Sequence, residues 1–117
     1  MIVVGLGIDL IEVETIRRSM RHDEQCASAW CNQSELDRLG VRSTEPPSVA
    51  VYVAGKEAVA KALGTGFSGD IAWQDIEMVP AAQGEFTIVL LAGALEAAHH
   101  AGVSRVLLCV TRGRTMI

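Results

Sequence analysis

One bracketed run constrains this chain more than any other: PPSVAVYVAGKEAVAKALG, residues 46 to 64. Proline is tolerated in a helix's first turn, where its missing N–H has no intrahelical partner. Glycine just past the last turn takes the left-handed conformation that closes a helix. The spacing therefore predicts a long helix from 46 to 63, stopped at Gly64. In a chain of 117 residues such a helix is the element against which a sheet must pack.

The other elements follow from shorter signals. Residues 2 to 8, β-branched and interrupted by glycine, read as a first strand. Residues 10 to 22 carry Leu10, Val13, Ile16 and Met20 on one helical face. Asn32-Gln33-Ser34-Glu35 has the spacing of a capping box, so a short helix runs to Leu39 and stops at Gly40. Residues 71 to 79 and 86 to 91 read as strands around a PAAQGE turn. A helix over 93 to 101 closes at Gly102, and a nearly all-apolar strand spans 103 to 111. The order is β-α-α-α-β-β-α-β. The central hairpin favours an α+β fold with a mainly antiparallel sheet packed against the long helix, over a doubly wound one. The length fits one domain over residues 1–117.

Composition removes several function classes. The hydrophobic share is 50% and the aromatic share only 4%, so the core must be built from Ala, Val, Leu and Ile. A net charge of −4 argues against nucleic-acid binding, which shows a basic excess. Cys26, Cys31 and Cys109 form no CxxC and no paired framework, and they read as reduced thiols of a cytoplasmic protein. No run approaches the ~20 apolar residues of a membrane span. The start, MIVVGLGIDLI, lacks the basic flank of a targeting segment. A chain this small gains stability by oligomerising.

The candidate chemistry lies in Asp9 and in AGKEAVAKALGTGF, residues 54 to 67. Asp9 is expected at the mouth of the sheet, past the first strand, and Glu57 lies on the long helix. Two carboxylates from separate elements, with waters and substrate phosphates, suit Mg2+. Lys56 and Lys61 are near the same end of the helix and suit phosphates as point charges. Gly64-Thr65-Gly66 permits close approach of a backbone or ligand. Each residue also has a plainer reading. Glu57 and Lys61 at i, i+4 form a favourable surface pair. Asp9 suits the cap of the following helix, and Gly64 is an ordinary helix stop. His99 and His100 read as favourable charges near the C-terminal end of their helix. No nucleophile elbow or dinucleotide fingerprint is present.

GLGIDLIEVETI (5 to 16) and AGKEAVAKALGTGF (54 to 67) resemble the two signature segments of the holo-acyl-carrier-protein synthases, small trimeric 4′-phosphopantetheinyl transferases. QSELDRL (33 to 39) and WQDIEMV (73 to 79) resemble the same family in order and spacing. The resemblance implies transfer of the phosphopantetheine arm of coenzyme A to a serine of an apo-acyl carrier protein, with release of 3′,5′-ADP. It implies Asp9 and Glu57 as Mg2+ ligands, with Lys61 beside them in catalysis. It further implies Lys56, Lys61, Gly64, Thr65, Gly66 and Thr111 as the coenzyme A contacts, Glu35 as the acidic residue of the SEL segment, and a homotrimer with sites between subunits. The chain departs from the family pattern at several positions. Thr15 and Tyr52 stand where arginines are usual, although Arg17, Arg18 and Arg21 follow Thr15. Cys109 and Val110 stand where Ser and His are usual, and GEF (84 to 86) replaces a Gly-x-Pro. Arg112 and Arg114 offer nearby positive charge. These departures keep two alternatives in view: an enzyme on the same fold acting on a carrier-bound intermediate of polyketide or peptide biosynthesis, and a catalytically inactive carrier-binding protein.

Overall fold

The computed structural model describes residues 2–23 and 25–117. Five α-helices and three strands are found among them: α1 Val13–His22, α2 Ala27–Trp30, α3 Gln33–Leu39, α4 Pro46–Ala62, β1 Ile76–Pro80, β2 Glu85–Leu90, α5 Ala92–Ala101 and β3 Leu107–Cys109. Short 3-10 turns at Gly40–Thr44 and Trp73–Asp75 lead into α4 and β1. No helix among the described residues is long and apolar enough to cross a membrane.

Helix α4 is the axis of the fold, and its predicted ends hold. Proline opens it, and Gly64 follows its last turn at φ +82°. Its first half, Ser48 through Lys56, is buried on every side. From Glu57 onward it is amphipathic, burying Val59 and Ala60 and exposing Lys61. Two apolar clusters lie along it. One gathers Val49, Tyr52 and Val53 with α1 (Val13, Ile16), Leu39, Met78 and Ile117. The other gathers Val59, Ala60 and Leu63 with Ile76 and the α5 residues Ala94 and Ala98. At Gly55 helix and sheet touch closely: a Cβ there would come within 2.7 Å of Met78 Sδ, so the Met78 side chain would have to shift.

The sheet is antiparallel, in the order β1-β2-β3. β1 pairs with β2 from Ile76↔Leu90 to Pro80↔Phe86, and β2 with β3 from Glu85↔Cys109 to Thr87↔Leu107. Alternation puts Ile76, Met78, Phe86, Ile88 and Leu108 toward the helices. The turn between β1 and β2 closes with Ala81 donating to the Glu85 carbonyl at 2.9 Å. Gln83 and Gly84 both take positive φ there. The capping box of α3 is formed: Glu35 N donates to Asn32 Oδ1, and Asn32 N to Glu35 Oε1.

Four expectations need correction. Residues 2 to 10 form no strand. They lie against α4 instead, held by Gly5 and Gly7, at either of which a Cβ would overlap the backbone of Ala58 or Ala62. A groove of about 520 Å³ separates them from the 103–108 segment, so this stretch of strand-forming residues has no paired edge within the chain. For the same reason the last strand shrinks to Leu107–Cys109, because Val103 to Val106 line that groove and leave the sheet. The first helix begins at Val13 with Glu12 at its N-cap, so Asp9 does not cap it. Its entry is tied down by the C-terminus, with Ile11 and Ile117 exchanging backbone hydrogen bonds of 3.0 and 3.1 Å. The 71 to 79 stretch yields a strand only from Ile76, because Asp75 accepts from the Ala72 N–H and curls the chain into a 3-10 turn first.

Candidate active site

The glycine contacts of the N-terminal segment decide where its carboxylate ends up. With Gly7 pressed onto the Ala58 turn of α4, Asp9 stands against the next turn of the same helix. Lys61 Nζ donates to Asp9 Oδ1 at 2.8 Å and to the Ile8 carbonyl at 3.1 Å. Glu57 lies one helical turn before Lys61 on the same face. Burial pushes the Glu57 carboxyl above its usual range, and the nearby Asp9 charge pushes it the same way, while Lys61 pulls it down. The hydrogen bond to Asp9 raises Lys61 in turn. Asp9, Glu57 and Lys61 therefore form one electrostatic cluster within one chain. Lys61 pairs with Asp9, and the plain Glu57–Lys61 surface pair does not form. The Lys61 side chain is 49% exposed and Asp9 only 16%, so the carboxylate is fixed while the ammonium reaches solvent.

The cluster gathers two carboxylates whose like charges raise the cost of ionising Glu57. A hard divalent cation would relieve that cost. Among the described residues no third His, Cys, Asp or Glu joins them. A cation held here would have two protein ligands and would complete its shell from water and substrate oxygens, as Mg2+ commonly does.

Lys56 is not part of this cluster. It is fully buried, and its ammonium donates to Glu35 Oε1 at 2.6 Å, Trp30 O at 2.7 Å and Trp73 O at 3.0 Å. An ammonium has three N–H donors, so none is left for a phosphate, and the expected coenzyme A contact from Lys56 is corrected. Glu35, equally buried, accepts in addition from the backbone N–H groups of Asn32 and Met78. The sequence held a signal for this pairing. A lone lysine following VAVYVAG, inside a fully buried stretch, requires a buried anionic partner.

Gly64-Thr65-Gly66 sits at the C-terminal end of α4. The Thr65 and Gly66 N–H groups both turn back to the Ala60 carbonyl, at 3.3 and 3.1 Å. Its amides are committed inward, so the turn offers shape and open space rather than an amide cradle. Just beyond it, Phe67 stacks on Trp73 with centroids 3.8 Å apart and planes 16° from parallel. Thr111 is exposed on the segment after β3. Tyr52 is a core residue, edge-on to Phe86 at 6.0 Å, so that position carries packing rather than charge. On α1, Arg17 and Arg21 are both held by Glu14, at 2.7 and 3.2 Å, while Thr15 and Arg18 are exposed. Cys109 is an exposed free thiol, and Cys26 and Cys31 are buried ones. Burial, reinforced by Glu35, pushes the Cys31 thiol up to about 12.

Comparison with known proteins bears on the same residues. The family model described as the 4′-phosphopantetheinyl transferase superfamily matches residues 5–112. A holo-[acyl-carrier-protein] synthase of Maridesulfovibrio salexigens is 34% identical over 113 residues, covering 96% of this chain and 90% of the relative. The crystal structure of holo-[acyl-carrier-protein] synthase from Neisseria meningitidis superposes with a TM-score of 0.85 at 26% identity, over 98% of this chain and 93% of that one. A holo-(acyl-carrier-protein) synthase from Bacillus anthracis, solved in complex with CoA (3′,5′-ADP), is 28% identical with a TM-score of 0.63, over 79% of each chain. A match that runs from the glycines before Asp9 to the end of the sheet carries both halves of the cluster, and the chain belongs to the 4′-phosphopantetheinyl transferase superfamily.

Proposed function

We propose that this chain transfers the 4′-phosphopantetheine arm of coenzyme A to a serine of an apo-acyl carrier protein, with Mg2+, and releases 3′,5′-ADP. The observation that carries the reading is the joining of Asp9 to the Glu57–Lys61 face of α4. In such a transfer the serine oxygen forms a bond to phosphorus, the bond to the departing nucleotide phosphate breaks, and the serine proton passes to solvent or base. Positioning and charge neutralisation supply most of the rate. Asp9 and Glu57 would hold the metal, which when bound neutralises the pyrophosphate oxygens. Lys61 supports the same charge from the solvent side as a point cation. The Gly64–Gly66 turn and Thr111 are assigned to the nucleotide end of coenzyme A. The exposed Arg18 edge of α1 is assigned to the acidic carrier protein.

The active form is proposed to be a homotrimer of single-domain subunits in the cytoplasm. Ile2, Leu6 and Ile8 are 87%, 81% and 75% exposed, with Leu107 beside them at 67%. Apolar side chains in such density mark an association surface. The free thiols of Cys26 and Cys31 suit a reducing compartment.

The test is intact-carrier mass spectrometry with purified protein, coenzyme A, Mg2+ and a panel of apo-carriers. A gain of one phosphopantetheine arm, lost in Asp9→Ala, supports the reading. No gain beside an active control enzyme overturns it and favours a fold adapted to loaded carriers. An Asp9→Ala variant that turns over like the parent overturns the metal-centred assignment.

A further inference from the structure

We propose that the buried Lys56–Glu35 pair is a positioning device for the transfer site: it fixes the rotation at which α4 holds Glu57 and, through Trp73 and Phe67, the setting of the Gly64–Gly66 turn. The proposal rests on the transferase reading and assigns Lys56 and Glu35 no contact with substrate.

Successive residues on a helix point about 100° apart. Lys56 and Glu57 are neighbours, so fixing the direction of one fixes the other. The Lys56 ammonium is fixed by three acceptors from three elements: Trp30 O at the end of α2, Glu35 on α3, and Trp73 O in the turn before β1. Any roll of α4 that swung Glu57 away from Asp9 would break these bonds. Glu35 extends the frame to β1 by accepting the Met78 N–H at 2.8 Å. Both side chains are entirely shielded from water. A pair so placed is a poor source of stability, since apolar residues of similar volume often do as well. Its five polar contacts are directional, and direction is what an apolar replacement lacks.

The second arm runs through Trp73. Lys56 holds its carbonyl, and Gln74 next to it donates to Ser28 O and Ala29 O at 2.9 and 3.0 Å. With the Trp73 carbonyl held by Lys56 and the Gln74 side chain anchored to the α2 backbone, the Trp73 ring meets Phe67 in a parallel stack. Phe67 directly follows Gly66, whose side toward a Cβ is open space. The ion pair, the stack and the turn thus form one line of contacts ending at the lip of the proposed coenzyme A site.

The experiment is a double-mutant cycle on Lys56→Met and Phe67→Leu. It reads KM for coenzyme A, kcat, melting temperature and, in a Trp30→Phe background, acrylamide quenching of Trp73. Lys56→Met is expected to raise KM about tenfold, the size of a coupling passed through packed side chains rather than of a lost substrate contact, and to make Trp73 more quenchable. Phe67→Leu alone should raise KM to a similar extent. The double variant should be no worse than either single one, because both cut the same line. A folded Lys56→Met protein with a lower melting temperature but unchanged KM overturns the proposal, and so do strictly additive effects. If Lys56→Met does not fold, Glu35→Gln, which keeps the volume and removes the charge, replaces it in the same cycle. A wild-type protein that binds no coenzyme A sinks the transferase reading alone. The quenching of Trp73 still reads the linkage, and unchanged quenching in the variant overturns it.

Discussion

A single methyl group added at Gly7 tests how the carboxylate cluster is assembled. The Cβ of Gly7→Ala would overlap the Ala58 carbonyl and stand 2.6 Å from the Ala62 nitrogen. Both are helix backbone and have no rotamer to give. Ordinary contact begins at 3.4 Å, and the Ala58 carbonyl oxygen is the nearer obstacle, so the segment must retreat by about 1.4 Å. In a packed core such crowding costs about 1–3 kcal/mol. In the single chain most of the cost is avoided, because residues 2 to 6 are exposed and can lift away. At dilutions where the chain stands alone, the melting temperature should therefore fall by only a few degrees, at roughly 2–8 °C per kcal/mol for small and mid-sized domains. Asp9 moves with the segment, off Lys61 and Glu57. A misplacement of about 1 Å near a reacting centre costs about 100-fold in rate. The assay is the initial rate of carrier loading at saturating coenzyme A, with thermal melting on the same sample. Activity within about twofold of wild type, at unchanged melting temperature, would refute the idea that this glycine contact sets the site.

Glu57 has a raised carboxyl pKa, and protons compete with a cation for its ionised form. The concentration of Mg2+ needed for half-maximal activity should climb as pH falls through that raised value; a flat requirement from pH 7 to 4 would count against Glu57 as a ligand. The same shift has a stability sign: a carboxyl raised in the folded state favours folding below its unfolded pKa, and this contribution fades as pH rises through the folded one, which acid-range melting curves of Glu57→Gln against wild type will show as a difference that shrinks at low pH. Thiol labelling of the native protein should modify Cys109 quickly and spare Cys31, whose thiolate is suppressed, until denaturant is added; fast loss of two thiols would contradict the burial. Leu6→Asp should lower the sedimenting mass to that of a single chain while leaving helical circular dichroism intact, and an unchanged mass would remove residue 6 from the association surface.

The elements legible in the sequence are those fixed by local chemistry. Pro46, Pro47 and Gly64 delimit α4, Asn32 and Glu35 form their box, and PAAQGE turns β1 into β2, because each depends on residues a few positions apart. Illegible features depend on distant partners. The β-branched run at residues 2 to 8 announces strand character, but pairing needs a second edge, and within this chain a groove lies there instead. Asp9, Glu57 and Lys61 were readable as candidates, yet their joining depends on two glycines meeting carbonyls half a chain away. Lys56 misled because a basic residue beside a carboxylate reads equally as a solvent-facing or an inward charge. Only its surroundings, apolar on every side of the helix, separate the two. Thr65 and Gly66 kept their expected turn, while the direction of their amides toward Ala60 was invisible to spacing.

The run of residues 2 to 8 also carries a hydrogen-bonding deficit. Among the described residues none of its backbone N–H groups donates to another backbone carbonyl, and a row of unpaired backbone groups invites a second chain. In hydrogen-exchange terms these amides should exchange fast in a dilute sample and slow as concentration rises, while that of Met78, held by Glu35, stays slow throughout. The aspartate of the site rides on the segment whose protection varies. Specific activity should then follow the same concentration curve as the exchange of residues 3 to 8, so that the enzyme reports its own assembly.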